Sequence, residues 1–374
     1  MGLYLDNAST TPLLPEVKDF IINNLDTFGN PNSSHKIGDR AKDIIDYSAE
    51  KVANLINTNA ENIIFTSGGS ASNTLAIKGF SEAMQHSKIL YSPTCHKSII
   101  EASKRMFVSK SLNVDDTGRI IVSDLERLLE DNILYNTLVV VDLGNSEIGT
   151  VQNISLISEV VHRYNAYLYV DCTGSIPYIP LDVQKLNIDM AGFSAHKLGA
   201  LKGCGVLFKK SDVPLSPLIY GSDDYFSGTQ NVLGIGSLGV SAELYPNFYK
   251  KINSKNRSIL YSELEKRLNN FYLVGSSEYR LPCNLNVCFP GVDSGNVVSI
   301  LDDKYDIQCS AGSACNNYSS SLSPTLLAIK EKNPSSCVRF SLSGFEKKME
   351  LIDAAKKIAS VVEGLRYWAE QNTM

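Results

Sequence analysis

The sequence lacks the features that mark several protein classes. Its eight cysteines include no C-x-x-C pair and its five histidines show no zinc-ligand spacing, so the sequence gives a metal site little support. Its apolar runs, such as L-V-V-V at 138–141, are far too short to cross a bilayer. The net charge of −5 is mild. We therefore expect no metal, no membrane contact and no nucleic-acid partner.

The first ten residues, M-G-L-Y-L-D-N-A-S-T, carry no basic region ahead of an apolar one, so we expect no signal peptide. Asp6 also breaks the pattern that myristoylation of Gly2 would require. A cytoplasmic location is the resulting expectation, and disulfides are rare in that compartment. Most of the thiols should then be small core residues, with one or two that react.

What the chain does have is the composition of a folded protein. Hydrophobic residues make up 43% and charged residues 20%, as in soluble globular proteins. Its 374 residues exceed one ordinary compact core, which favours two domains.

Residues 40–235 alternate between helical and strand patterns. Apolar residues recur at helical spacing in 41–56 and 154–164. Short β-type runs occur at 61–69, 88–92, 137–142, 166–171, 189–194 and 204–208. This alternation predicts an α/β domain with a large, mostly parallel sheet, which we place at 13–250.

The pattern changes in the last third of the chain. A charged helix at roughly 250–270, a strand-like run at 285–289 and an amphipathic helix near 346–370 indicate a smaller α+β domain. We assign residues 1–12 and 251–374 to this second domain.

Two polar residues follow buried strands and suggest a cofactor. Lys197 ends the segment D-M-A-G-F-S-A-H-K, and a lysine beyond the carboxyl end of a strand can form a Schiff base with a carbonyl group. Asp171 ends A-Y-L-Y-V-D, and pyridoxal phosphate (PLP) needs a carboxylate against its ring nitrogen. Taken alone, each has a plainer interpretation, a solvated lysine and an aspartate that starts a turn.

Two further strand ends add compatible groups. The run N-I-I-F-T leads to S-G-G-S at 67–70 and a helix, so Ser70 and backbone N–H groups could hold a phosphate. This is not the G-x-G-x-x-G fingerprint of a dinucleotide site. His96 follows another strand and could stack on an aromatic ring, although a lone histidine is more often structural. Four strand ends together favour a PLP site more than any one does.

Cys315 closes the stretch C-S-A-G-S-A-C, which has few apolar side chains. Such a segment, at about 309–323, predicts a mobile loop that could carry a reactive thiol. A buried structural cysteine is the alternative interpretation.

Several motifs in order along the chain carry a resemblance. They are Y-L-D-N-A-S-T-T-P (4–12), F-G-N-P (28–31) with His35, F-T-S-G-G-S (65–70), C-H-K-S (95–98), S-E-I-G-T-V-Q (146–152), V-D-C-T-G (170–174), S-A-H-K (194–197), S-G-T-Q-N (227–231), G-S-A-C (312–315) and V-R-F-S-L (338–342). Over nearly its whole length the chain resembles the cysteine desulfurases of the NifS and IscS type, in the class V aminotransferase group of PLP enzymes. The resemblance implies the PLP-dependent transferase fold, fold type I, and conversion of L-cysteine to L-alanine.

The resemblance also implies roles at matching positions. Lys197 would hold PLP and act as a base, Asp171 would pair with the ring nitrogen, and His96 would stack on the ring. Arg339 would clamp the substrate carboxylate and Cys315 would accept the sulfur as a persulfide. The remaining implied positions are Ser70, Ala71, Ser146, Ser194, His196 and Thr229 for the cofactor, with Thr229 from the second subunit of a homodimer, and Asn30 for the substrate. The implied partner is a sulfur-acceptor protein, either an iron–sulfur scaffold or a sulfur carrier.

The chain departs from the family pattern near the cofactor. Members of the family usually have acidic residues at the positions that Ala71 and Cys95 occupy here. They usually have an asparagine in place of Ser146 and a glutamine in place of Gly174. Leu201 and Phe226 are the other two departures. Ser175 could replace the missing amide. Two alternatives therefore stay open: another class V enzyme, such as a selenocysteine lyase, an aminotransferase or an epimerase, and a catalytically weakened homologue that acts as a binding subunit.

Overall fold

The structure is a computed structural model that describes residues 2–131, 134–221, 225–312 and 322–372. Its strands are β1 (Leu3–Tyr4), β2 (Ile63–Thr66), β3 (Ser87–Tyr91), β4 (Ser109–Ser111), β5 (Asn136–Asp142), β6 (Tyr167–Asp171), β7 (Met190–Ser194), β8 (Gly205–Lys209), β9 (Tyr272–Leu273), β10 (Asn284–Cys288), β11 (Ile307–Gln308), β12 (Ser310–Ala311) and β13 (Cys337–Ser341). Its α-helices are α1 (Pro15–Asn24), α2 (Lys36–Ile56), α3 (Gly69–Ala83), α4 (Lys97–Lys104), α5 (Val122–Glu130), α6 (Ile154–Arg163), α7 (Val232–Tyr249), α8 (Lys255–Glu265), α9 (Ser294–Tyr305), α10 (Pro324–Ala328) and α11 (Lys348–Asn372).

A seven-stranded sheet forms the larger layer, in the order β2-β8-β7-β6-β5-β3-β4. The pairs among β3, β4, β5, β6 and β7 are parallel, and β8 is antiparallel to both of its neighbours. Strand β2 therefore runs in the same direction as β7. The predicted α/β architecture with a mostly parallel sheet is confirmed.

The central strands are buried on both faces, which explains their continuous apolar sequences. In β5, Val139 and Val141 belong to one hydrophobic core, whereas Leu138 and Val140 belong to the core on the opposite face. Alternate side chains of a strand point to opposite faces, so helices on both sides require apolar residues at every position.

Helix α2 shows how local sequence sets the bounds of an element. His35 Nδ1 accepts a hydrogen bond from Gly38 N at 3.2 Å and so caps the first turn. The helix ends where Asn57 adopts a left-handed backbone with φ of 58°. Between these caps Ala41, Ile45 and Val52 lie buried on one stripe.

A second, four-stranded antiparallel sheet has the order β12-β13-β10-β9. Helices α8, α9 and α11 supply apolar side chains to its core. Strand β1 pairs in parallel with β11 in a separate two-stranded sheet, and Leu5 and Ile307 pack in the same core, so the first residues of the chain join this second layer. The domain boundaries at 12 and 250 stay a prediction.

Some predicted bounds change. The helix expected at roughly 250–270 is confined to α8, Lys255–Glu265, and Asn270 adopts a left-handed backbone. The segment at 309–323 has regular structure at both ends, where a loop was predicted: β12 pairs with β13, and Ser323 caps α10. Within the described ranges, every helix is too short or too polar to cross a membrane.

Candidate active site

The carboxyl ends of β2, β3, β5, β6 and β7 lie at one edge of the larger sheet, because these strands run in the same direction. Ligands bind at this edge in open α/β sheets. A cavity of about 320 Å³ lies there. Among the predicted site residues, those that line it are Ser70, His96, Ser146, Asp171, Ser194, His196, Lys197 and Arg339.

Lys197 and His196 lie in the short 3₁₀ turn that follows β7. Lys197 Nζ donates a hydrogen bond to the Ala8 carbonyl oxygen. His196 Nδ1 lies 3.0 Å from Thr10 Oγ1. Burial lowers the pKa of His196 to about 4, and the Lys197 and Lys202 charges act in the same direction. The imidazole is therefore neutral at neutral pH and can serve as a hydrogen-bonding group.

Asp171 ends β6 and is almost fully buried. Its Oδ1 accepts a hydrogen bond from Thr173 N at 2.8 Å, and its Oδ2 accepts one from Asn73 Nδ2 at 3.2 Å. Asn73 Nδ2 also lies 2.9 Å from Ser98 Oγ, which is 2.8 Å from His96 Nδ1. One hydrogen-bonded chain thus connects Asp171 to His96. Sequence reasoning missed Asn73, although it follows Ser70 at helical spacing and faces the same way.

A second buried carboxylate lies beside Asp171. Asp142 ends β5 directly opposite Asp171 in the register of the two strands. Burial raises the pKa of Asp142 to about 6, and the Asp171 carboxylate adds to this effect. The Cys95 thiol lies 3.7 Å from Asp142 Oδ1, and burial raises the pKa of that thiol well above its ordinary value. Asp142 lines the cavity, but the sequence presents it only as the end of a strand.

Arg339 from the second sheet and Glu147 from the loop after β5 also line the cavity. Arg339 on β13 is only 1% exposed, and its Nη2 donates to Asp6 Oδ1 at 2.7 Å and to Ser9 Oγ at 3.0 Å. Glu147 Oε2 accepts a hydrogen bond from Ser323 Oγ at 2.7 Å, and burial raises the pKa of Glu147. Within the described ranges, Arg339 Nε and Glu147 Oε1 are buried without hydrogen-bond partners. Both residues line the cavity, and Glu147 was not predicted.

Three predicted residues do not line the cavity within the described part of this chain. Ala71 is half-buried on α3, and Thr229 and Asn30 are exposed. Cys315 lies outside the described residues. Ser175, considered as a replacement donor, is fully buried and its hydroxyl donates to the Cys172 carbonyl oxygen at 3.2 Å. Ser175 is not among the residues that line the cavity, and its role as a replacement donor stays a prediction.

Comparison with known proteins decides the family. The class V aminotransferase family model matches residues 3–354. The chain belongs to this family. A cysteine desulfurase IscS from Dictyoglomus turgidum is 33% identical to this chain, over 97% of this chain and 95% of the relative.

Solved structures agree with this assignment. A NifS-like protein matches with a TM-score of 0.88 at 29% identity, and the match covers 97% of this chain and 100% of the other. SspA in complex with cysteine matches with a TM-score of 0.78 at 27% identity, covering 92% and 100%. The predicted resemblance to NifS- and IscS-type proteins and the fold type I architecture are confirmed.

Proposed function

We propose that this protein is a PLP-dependent cysteine desulfurase. It would convert L-cysteine to L-alanine and pass the sulfur atom to the Cys315 thiol as a persulfide, and then to an acceptor protein. One observation carries the proposal: the Lys197 amine, the Asp171 carboxylate and the Arg339 guanidinium line a single cavity of about 320 Å³. Imine formation, pairing with a pyridinium nitrogen and binding of a carboxylate need these three groups.

The cavity also suits a phosphate group. Thr173 Oγ1 is buried without a hydrogen-bond partner among the described residues. Helix α3 begins nearby at Gly69, and no side chain caps its first N–H groups. A Cβ atom at Gly69 would lie 3.1 Å from Thr173 Oγ1, so the glycine keeps this corner open. Ser70, Ser194 and the neutral imidazole of His196 would complete the phosphate-binding group.

When bound, PLP supplies a protonated ring that accepts electrons from the α-carbon of the substrate. Asp171 would hold the ring nitrogen, with its Oδ2 fixed by Asn73. Lys197 would hold the cofactor and afterwards carry the α-proton on Nζ. His96, whose ring is oriented by Ser98, would stack on the cofactor ring.

Arg339 would hold the substrate carboxylate. Asp6 and Ser9 fix the guanidinium through Nη2, and Nε has no hydrogen-bond partner in the described residues. A carboxylate near Nε would therefore supply a partner that this buried donor lacks.

The remaining parts of the proposal follow from the resemblance to NifS- and IscS-type proteins. The protein would act in the cytoplasm as a homodimer, in which Thr229 reaches the cofactor of the partner subunit. Ala71 and Ser146 would lie near the cofactor and Asn30 near the substrate. The sulfur acceptor would be an iron–sulfur scaffold or a sulfur carrier.

The test is incubation of the purified protein with L-cysteine, followed by an alanine assay and intact mass measurement. The wild-type chain should release alanine and gain one sulfur atom on Cys315. Lys197→Ala should release no alanine. Borohydride treatment should attach the cofactor covalently to Lys197 in the wild-type chain and should leave no such label in Lys197→Ala. Lys202→Ala is the matched control, because Lys202 is an exposed lysine close to the same turn and should behave as wild type.

Two outcomes would contradict the proposal. Alanine formation that survives Cys315→Ser would favour another class V reaction. A wild-type chain that binds PLP but forms neither alanine nor persulfide would favour a binding subunit.

A further inference from the structure

We propose that Cys288, Cys337 and Glu331 form a binding site for a thiophilic divalent metal ion, of which Zn²⁺ is the best chemical match. The Sγ atoms of both cysteines and a carboxylate oxygen of Glu331 all lie within 4.8 Å of one another. The three residues are separate from those that line the cavity at the edge of the larger sheet. This inference does not depend on the proposed desulfurase activity.

The register of the second sheet brings the two cysteines together. Cys288 on β10 is directly opposite Cys337 on the antiparallel strand β13. Phe289 and Ser336 form the neighbouring pair of opposite residues, and Phe289 N donates a hydrogen bond to Ser336 O at 2.9 Å. Cys288 and Cys337 therefore form a non-hydrogen-bonded pair, the type in which opposite side chains are closest. Both side chains are fully buried and point to the same face.

The third ligand comes from the turn that follows α10. Glu331 Oε1 accepts hydrogen bonds from Tyr272 OH at 2.5 Å and from Asn333 N at 2.9 Å. Asn333 Nδ2 in turn donates to Tyr272 OH at 3.0 Å. Hydrogen bonds of this kind fix the orientation of a ligating carboxylate.

Both sulfur atoms contact the same backbone oxygen atom. Cys288 Sγ and Cys337 Sγ lie 3.5 Å and 3.4 Å from the same acceptor, the Asn333 carbonyl oxygen. Tetrahedral zinc with Zn–S bonds of about 2.3 Å holds two thiolates roughly 3.8 Å apart. The two sulfur atoms lie within 4.8 Å of each other, a separation close to the one that zinc requires, and Glu331 is half-buried.

Two cysteine sulfur atoms and a carboxylate are ligands that suit a thiophilic divalent cation. Exchange of two thiol protons for one divalent ion leaves the net charge of this buried cluster unchanged, and the protons pass to water.

A bound ion would fix the position of α10. Leu326 and Ile329 pack in the same hydrophobic cluster as the two cysteines. The ion would tie this helix, through Glu331, to β10 and β13. Sequence spacing did not suggest a metal because the ligands come from two opposite strands and a turn.

The experiment uses the full chain with its cofactor bound. A chelator first removes any metal from the protein, and the protein is kept reduced in the absence of oxygen. Bound zinc is measured after equilibration with buffered Zn²⁺. We expect one zinc per chain in the wild type and none in the double variant Cys288→Ser/Cys337→Ser. The controls are Cys283→Ser and Cys315→Ser, which should both still bind zinc. Cys283 is another buried cysteine next to β10.

Two further measurements separate this site from nonspecific binding. Glu331→Gln, at a half-buried turn position, should weaken zinc binding about tenfold or more without unfolding the chain. Affinity should rise between about tenfold and 100-fold per pH unit, because Cys337 and Cys288 release protons on binding. A wild-type chain without zinc, a double variant that keeps it, or a Cys288–Cys337 disulfide that persists under these reducing conditions would overturn the proposal.

Discussion

At the scale of single residues, Asp142 and Asp171 bring two carboxylates together inside the protein. The two carboxylates end neighbouring parallel strands in register, and both are buried. Asp171 has two hydrogen-bond donors, from Thr173 and Asn73, whereas Asp142 lies next to the Cys95 thiol. Burial and the neighbouring Asp171 carboxylate therefore disfavour the charged form of Asp142.

This unfavourable charge predicts a pH dependence of stability. The pKa of Asp142 is raised from 3.8 to about 6 in the folded chain, so the folded state binds the proton more tightly than the unfolded state. The free energy of unfolding should therefore fall as pH rises from about 4 to about 6, by roughly 3 kcal/mol in total. Asp142→Asn should remove this fall. Urea denaturation of both proteins at several pH values measures it.

The control for this prediction is Asp116→Asn, which changes an exposed aspartate and should leave the pH dependence as in the wild type. An equal fall in Asp142→Asn and wild type would show that another group is responsible.

At the scale of elements, the loops after β5 and β6 approach each other closely below the cavity. A Cβ atom at Gly174 would lie 2.7 Å from the Gly144 carbonyl oxygen and 3.0 Å from Ser146 Cβ. A larger residue at Gly174 therefore requires a different path for the loop that carries Ser146. The departures from the family at these two positions are thus structurally connected.

Gly174→Ala should destabilise the protein by about 1–3 kcal/mol, since a packed backbone oxygen must move. Gly364→Ala is the matched control, because its added methyl group meets open space within α11. That control should stabilise the chain by about 0.5–1 kcal/mol through helix propensity. Thermal unfolding of the two variants compares them, and similar shifts of both would contradict the close approach.

At the scale of the whole molecule, the N-terminal segment connects the two sheets. Strand β1 pairs with β11 in the second layer, and Thr11 Oγ1 donates to the His196 carbonyl oxygen at 2.9 Å beside the larger sheet. Between these contacts, Asp6 forms an ion pair with Arg339 at 2.7 Å. The cavity is therefore built by residues from both layers and from the start of the chain.

Asp6→Asn should lower the free energy of unfolding by about 2–4 kcal/mol. Arg339 is 1% exposed, and removal of its partner leaves a buried charge uncompensated; the 20% exposure of the Asp6 side chain moderates the loss. Denaturant unfolding measures the change. Asp26→Asn, at an exposed position, is the control and should change stability by less than about 0.5 kcal/mol. A loss in Asp6→Asn no larger than in this control would mean that the ion pair contributes little.

Six of the seven strands of the larger sheet could be predicted, because burial makes their sequences largely apolar. The run around Val139 and the turns after Asp171 and Ser194 are local signals of this kind. Strand β4 was missed because its three residues are polar and two of them are exposed. The limits of α8 and the ends of the segment at 309–323 could not be predicted, because pairing with β13 and capping by Ser323 decide them.

The sequence by itself determined the class of fold and the strand ends at which Lys197, Asp171 and His96 lie, since these depend on local apolar patterns and short motifs. Only the tertiary structure decided the pairing of Asp142 with Asp171, the chain through Asn73, and the meeting of Cys288 with Cys337. The physical reason is that these contacts depend on strand order and register, which join residues far apart in the chain and leave no local pattern.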